Sequence, residues 1–299
     1  MTERIGRREF IGKVIAAGAS GPLAMAAGCS QQQAERAAAA PAKPAPHDIV
    51  TLGNTGIRMS RLGMGTGMKG WNHQSNQTRL GMEKLTALFR HGYDQGLTYF
   101  DLADMYGSHE YVKNAMKFIP RDKIMIQTKT FTRDAEGVRK DIERFRQELG
   151  TDYIDTVLLH CLTDADWTTK LAGAMDVLSE AKAKGWIRAH GCSCHKLEAL
   201  QLAAATPWVE VDLARINPRG VKMDGPPDVV VPVLEQFHAR GAGVLGMKIC
   251  GEGTLVDAEA KEESLRFVLS QKCVDAFCIG FESIEQIDDI ITRWETVVG

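Results

Sequence analysis

No stretch of this 299-residue chain is apolar for long enough to enter a bilayer and stay there. Positive charge is not in surplus either. Lys and Arg number 36 against 38 Asp and Glu, a formal net charge of -2, which excludes the basic footprint of a nucleic-acid binder. The seven cysteines are irregularly spaced, too few for a disulfide framework at this length, and no CxxC pair is present. What is left is an ordinary globular composition, 44% hydrophobic and 25% charged. The length suits one large domain with additions, or two small ones.

The N-terminus stands apart. Arg7 and Arg8 precede Phe10, Ile11 and Lys13, and an Ala- and Gly-rich, mildly apolar stretch then runs to Cys29. This resembles a twin-arginine export signal, and "AAGC" at 26–29 resembles a lipobox, whose cysteine is lipidated and becomes the new N-terminus. A disordered basic tail is the alternative. The expected organisation is a signal over 1–29, a flexible Ala/Pro linker over 30–46 with nothing to bury, and a folded unit over 47–299. Export by that route leads to the periplasm or the outer face of the cell membrane, with membrane attachment through Cys29 if it is lipidated.

From His47 onward, short apolar runs alternate eight times with amphipathic stretches. The strand candidates are "RLGMGTG", "TYFDLAD", "IMIQTKT", "IDTVLLH", "RAHGCSC", "VEVDLARIN", "GVLGMKI" and "AFCIGFE". Between them, segments such as "EKLTALFRHGYDQG", "VRKDIERFRQELG" and "LAGAMDVLSEAKAKG" show helical apolar spacing with Gly at the end. Such alternation implies parallel pairing. The pattern predicts an α/β fold, a (β/α)8 TIM barrel, with an open doubly wound sheet as the other solution. "DIVTLGNTGIRMS" predicts an N-terminal β-hairpin, turning at Asn54 to Gly56 and placed to plug the barrel bottom.

Barrel chemistry sits at the C-terminal ends of strands. Sorting the polar strand-end residues by that rule brings Asp101, Tyr106, Lys129, His160, Ser193 and Asn217 to one mouth. A free phenol holds its proton at neutral pH. A nearby ammonium would lower the phenol's pKa and ease proton donation. Lys129 can supply that ammonium, Asp101 can hold it, and His160 can orient a carbonyl oxygen. The set suits general acid catalysis on an aldehyde or ketone while hydride arrives from a cofactor. Each residue alone also has a structural reading: packing, a solvated lysine, a helix cap, a core imidazole. Their joint placement at successive strand ends favours the chemical one.

Here the sequence resembles the aldo-keto reductase family, over the whole barrel from "LGNTGIRMSRLGMGTG" to "CIGFESIEQIDD". "FDLADMYGSHE" is similar to that family's Asp-x-Ala-x-x-Tyr-Gly signature, carrying Asp101 and Tyr106; "IMIQTKT" carries Lys129 and "DYIDTVLLH" carries His160. The resemblance implies NADPH or NADH extended across the mouth and a small-molecule carbonyl substrate. It places Gly65, Thr66 and Gly67 of "GMGTG" near the ribose and Ser193 and Met247 at the nicotinamide, with Asn217 and Lys248 also among the cofactor-binding residues. Gly280, Ser283, Gln286 and Asp289 fall on the pyrophosphate and adenosine positions. The chain departs from the family at Cys194, Leu213 and Met247, where two amides and an aromatic are usual. It also lacks the Lys and Arg with which many members hold a 2'-phosphate, a group that prefers cations. A literal Gly-x-Gly-x-x-Gly at 241–246, "GAGVLG", precedes a strand instead of following one and is expected to be a turn.

Cys161, Cys192, Cys194, His195 and Cys250 also gather near strand ends, but adjacent strand residues point opposite ways. The expectation is no metal, with reduced cysteines as packing. The polar loop "GMKGWNHQSNQTR" sets Trp71 over the mouth, against substrate or as plain surface. The expected function is an exported oxidoreductase reducing a small aldehyde or ketone, with Tyr106 as acid. The alternatives are a non-catalytic barrel that binds a cofactor or ligand as sensor or partner protein, and a lyase or isomerase reusing the acid. The loops carry no pattern that names the carbonyl, and nothing sets the oligomeric state.

Overall fold

The computed structural model describes residues 43–299. The expected signal, Cys29 and the linker up to residue 42 lie outside the described residues. Eight parallel strands close into a barrel: β3 (Leu62–Gly65), β4 (Tyr99–Asp101), β5 (Met125–Thr130), β6 (Ile154–Leu162), β7 (Ile187–Cys194), β8 (Val211–Arg215), β9 (Gly243–Met247) and β10 (Ala276–Gly280), with β10 pairing back to β3. Before them, β1 (Ile49–Thr51) and β2 (Arg58–Ser60) form an antiparallel hairpin, Ile49 opposite Ser60. The barrel and the hairpin are as the pattern predicted.

A helix follows each strand because the amphipathic runs have one apolar face to bury against the sheet and clear signals at both ends. "VRKDIERFRQELG" runs from the helix Ala135–Leu149 into its C-cap: Asp134 accepts a bond from Gly137 N at the start, and Gly150 takes φ +68 at the end. The last helix, Ile284–Val298, starts at Ser283, whose hydroxyl accepts from Gln286 N. Strand and helix side chains form one continuous apolar layer outside the barrel. A second, smaller core fills the interior: Tyr99, Met125, Leu158, Leu213 and Leu245 from the strands, with Leu52, Ile57 and Met59 from the hairpin. The hairpin thus plugs the bottom and leaves the C-terminal mouth for polar groups. "GAGVLG" turns at Gly241, φ +82, and Ala242, and its last four residues are already β9.

Residues 43–46, expected as the end of a free linker, instead lie on the barrel. Trp294 Nε1 donates to Pro44 O at 2.7 Å and Leu62 N donates to Pro46 O at 2.9 Å. Proline carbonyls remain good acceptors, and the buried indole N–H needs one.

Candidate active site

At the mouth, β4 ends on Asp101 and β5 carries Lys129, which is 0% exposed. An ammonium this deep is tolerable only if paired and hydrogen-bonded. Lys129 Nζ donates to Asp101 Oδ1 at 2.7 Å and to Leu102 O at 2.6 Å. Gln127 Nε2 donates to the same carboxylate oxygen at 2.8 Å, and its Oε1 accepts from Thr156 at 3.1 Å.

After β4 the chain makes a short 3-10 turn, Asp104–Tyr106, which lays the tyrosine across the mouth. The Lys129 ammonium lies 4.8 Å from the Tyr106 ring centroid. Two glycines lie against that ring, and a Cβ on Gly67 or Gly70 would fall 2.4 or 2.3 Å from its carbons. Tyr106 Oη stands 3.3 Å from His160 Nε2, and the two rings meet edge to face at 85°. The register of β6 against β7 shifts between Leu159 and Leu162, and Cys161 takes φ +57 there, which re-aims His160 into the mouth. Its carbonyl accepts from Arg133 Nη2 at 2.6 Å, and its Nδ1 has no partner among the described residues.

Burial pushes the His160 pKa well below the usual imidazole value, and the charges of Lys129, His195 and Arg133 add to the effect, so the ring is neutral. Burial likewise raises the Tyr106 pKa well above 10.0, with the Asp101 charge next. Burial thus outweighs the acidification expected from Lys129. The ammonium is close, but it faces the ring and is neutralised by Asp101, while burial penalises the phenolate. Tyr106 therefore holds its proton firmly.

From these groups a cavity of about 370 Å³ runs outward. Asp101 and Tyr106 line it, as do seven of the residues expected at a cofactor: Gly65, Gly67, Met247, Lys248, Gly280, Gln286 and Asp289. The other four do not line it, each for a local reason. Thr66 Oγ1 is bonded to Asp101 O and Ser108 Oγ. Ser193 Oγ accepts from Cys161 N at 3.2 Å. Both Asn217 side-chain atoms brace loops, Nδ2 donating to Val221 O and Lys248 O while Oδ1 accepts from Val221 N and Arg219 N. Ser283 caps its helix.

Sequence reasoning found only Lys248 of the loop that forms one wall. The loop after β9 folds over the groove through left-handed residues Lys248 (φ +62) and Glu252 (φ +57), joined by a 2.6 Å ion pair. The glycines of "CGEGT" at 250–254 were the available signal. Lys261, also in the wall, is held by Asp289 at 2.8 Å. The groove suits an extended phosphate-bearing cofactor on the chain's own terms. Gly280 leaves open a place where a Cβ would meet Gln77 Nε2 at 3.0 Å, and that amide nitrogen has no partner among the described residues. The N-terminus of the helix Ile284–Val298 lies at the same end, a position that favours anions.

Beyond His160 the opening is aromatic. Trp71, 66% exposed, meets Phe131 edge to face at 6.4 Å, and Phe131 meets His160 at 6.2 Å. Trp71 sits on a tight turn, bridged to Gln74, with Asn72 and His73 both left-handed.

Residues 61–266 match the family described as "Aldo/keto reductase family". The chain is 30% identical over 284 residues to an L-galactose dehydrogenase of Arabidopsis thaliana, covering 81% of this chain and 86% of the relative. It is 28% identical over 171 residues to an NADH-specific methylglyoxal reductase of Escherichia coli (strain K12), 48% of this chain and only 51% of that protein's length. In fold it resembles the holo form of an aldo-keto reductase from Bacillus halodurans, with a TM-score of 0.68 and 19% identity over 83% of this chain and 91% of that one.

Proposed function

The chain belongs to the aldo/keto reductase family, and on that premise we propose that it reduces a small aldehyde or ketone with Tyr106 as the proton donor. The observation that carries the reading is the 3.3 Å approach of Tyr106 Oη to a neutral His160 Nε2 beside a buried Lys129–Asp101 pair. A nicotinamide cofactor bound in the groove would supply the hydride. The carbonyl oxygen is held between Tyr106 Oη and His160 Nε2, so the imidazole takes the tautomer with hydrogen on Nε2. As negative charge grows on that oxygen, Tyr106 gives up its proton. The Lys129 ammonium stabilises the phenolate left behind, and Asp101 keeps Lys129 charged. The aromatic wall of Trp71 and Phe131 shields the reacting carbonyl from water and offers a flat apolar surface to the rest of the substrate.

NADH is the favoured cofactor in this reading. Of the three lysines along the groove, Lys248 is paired with Glu252 and Lys261 with Asp289, Glu282 stands at the same end, held by Asn76 at 2.9 Å, and only the exposed Lys69 has no carboxylate partner among the described residues. A 2'-phosphate would thus compete with carboxylates for two of the three lysines and find one of them free.

Tyr106→Phe tests the assignment. It keeps the ring against Gly67 and Gly70, so turnover should fall by roughly 10²- to 10⁴-fold while NADH still quenches the intrinsic fluorescence. Turnover equal to the parent's would remove the phenol from the mechanism, and tighter binding of NADPH than NADH would reverse the cofactor preference.

Export belongs to the proposal on the strength of the Arg7–Arg8 signal and "AAGC" alone. Replacing both arginines by lysine should keep the protein in the cytoplasm, and Cys29→Ala should release it from the membrane fraction.

A further inference from the structure

A second cluster of reactive side chains lies on the outer face of the barrel sheet, under the helices and near the C-terminal end of β7. β7 and β8 are joined by two register pairs, Gly191 with Val211 and Cys192 with Asp212, against six between β6 and β7. At the second of these rungs, Cys192 Sγ lies 3.9 Å from Cys194 Sγ and 3.7 Å from Asp212 Oδ1. Potential ligand atoms of all three residues lie within 4.8 Å of one another. The two cysteines alternate with Ser193, so both thiols enter the apolar layer beneath the helices, away from Cys161 and His195. Cys192, Cys194 and Asp212 are 0%, 1% and 0% exposed.

Hydrogen bonding does not account for this carboxyl group. Its Oδ1 meets only a thiol, a weak donor, and its Oδ2 has no partner among the described residues. Coordination accounts for it better. Zinc bonds of about 2.3 Å to sulfur and about 2.1 Å to oxygen, at near-tetrahedral angles, separate two sulfurs by roughly 3.8 Å and a sulfur from an oxygen by roughly 3.6 Å. The Cys192–Cys194 and Cys192–Asp212 separations agree with these within about 0.1 Å, and Cys194 Sγ lies within 4.8 Å of a carboxylate oxygen of Asp212.

We propose that Cys192, Cys194 and Asp212 bind one thiophilic cation, Zn²⁺, as a clasp between β7 and β8. On binding, each thiol releases its proton to solvent, and the two thiolates and one carboxylate place three negative charges around the divalent ion. The clasp reinforces a two-rung ladder directly beneath Ser193, so its effect is on the stability of the mouth and not on the chemistry there. It is independent of the proposed carbonyl reduction.

The test uses the full chain, purified from zinc-supplemented culture and, because the site is sealed, also refolded with ZnSO₄. Metal is counted by plasma mass spectrometry after dialysis. The expected result is about one zinc per chain, falling to near none in the Cys192→Ser/Cys194→Ser double variant and retained in Cys273→Ser. Cd²⁺ substitution should add a thiolate charge-transfer band in the parent only. Asp212→Asn, a gentler change, should lose most of the metal, which keeps the test alive if the double variant does not fold. Copper at one equivalent, lost in the same variants, supports the thiophilic site and reassigns its ion to Cu⁺, which shares the ligand chemistry. A metal-free parent in both preparations, or metal content unchanged in the variants, overturns the proposal.

Discussion

Lys129 Nζ faces the Tyr106 ring at 4.8 Å while bonding Asp101 Oδ1 at 2.7 Å, so the ammonium is shared between a π face and a carboxylate. Removing it strands Asp101, which is 4% exposed, without its counter-ion. Lys129→Met should therefore destabilise the fold by about 3–5 kcal/mol, the usual cost of breaking a buried pair, and reduce kcat by at least about 10²-fold. Denaturant midpoints and steady-state rates check both, and the double variant with Asp101→Leu should recover stability without recovering rate.

The phenol's raised pKa sets the pH behaviour. Tyr106 is protonated over the whole neutral range and can donate without prior activation, and His160 stays neutral because its own pKa is depressed. Carbonyl reduction should be flat from about pH 6 to about pH 9. The reverse reaction needs the phenolate as acceptor, so alcohol oxidation should rise with pH across that range. Initial rates in both directions decide it; a reduction rate that falls through pH 7 would show that Lys129 acidifies the phenol after all.

Gly70→Ala is a purely steric probe of the acid. The added methyl would lie 2.3 Å from Tyr106 Cδ1 and 3.1 Å from Gly67 O, so the ring must move. Displacement of order 1 Å should lower kcat by about 10²-fold with a smaller change in cofactor affinity. Gly225→Ala, whose added methyl would make only ordinary contacts at 3.7 and 3.8 Å with Val230 and Leu197, has no such effect on the ring and serves as the control.

Acid stability should depend on Glu148. Burial alone would raise its pKa, but hydrogen bonds from His109 and Arg144 outweigh that and bring it from 4.5 to about 2. His109 Nδ1 approaches Glu148 Oε2 at 2.6 Å, and Arg144 ties Glu148 to Asp104, at the start of the Tyr106 turn. The folded value lies below the unfolded one. The contribution is complete above about pH 4.5 and disappears as pH falls toward about 2. Glu148→Gln should flatten the fall in thermal midpoint across that window and lower the midpoint at pH 7.

The sequence by itself determined the barrel, because eight repeats of two periodicities leave few ways to bury that much apolar surface. It determined the hairpin plug through Leu52, Ile57 and Met59, and it brought Asp101, Tyr106, Lys129 and His160 together, since strand ends of a closed parallel barrel share one mouth. Only the tertiary structure decided how those groups titrate. Burial is a property of every neighbour at once, and it reversed the direction expected for Tyr106. The same holds for polar residues with two eligible partners: Thr66, Ser193 and Asn217 bonded to the scaffold, while Lys248 and Glu252 formed a wall no periodicity announced. The pairing of Cys192 with Asp212 across β7 and β8 depends on register between strands some twenty residues apart, which the order of residues along one chain does not record.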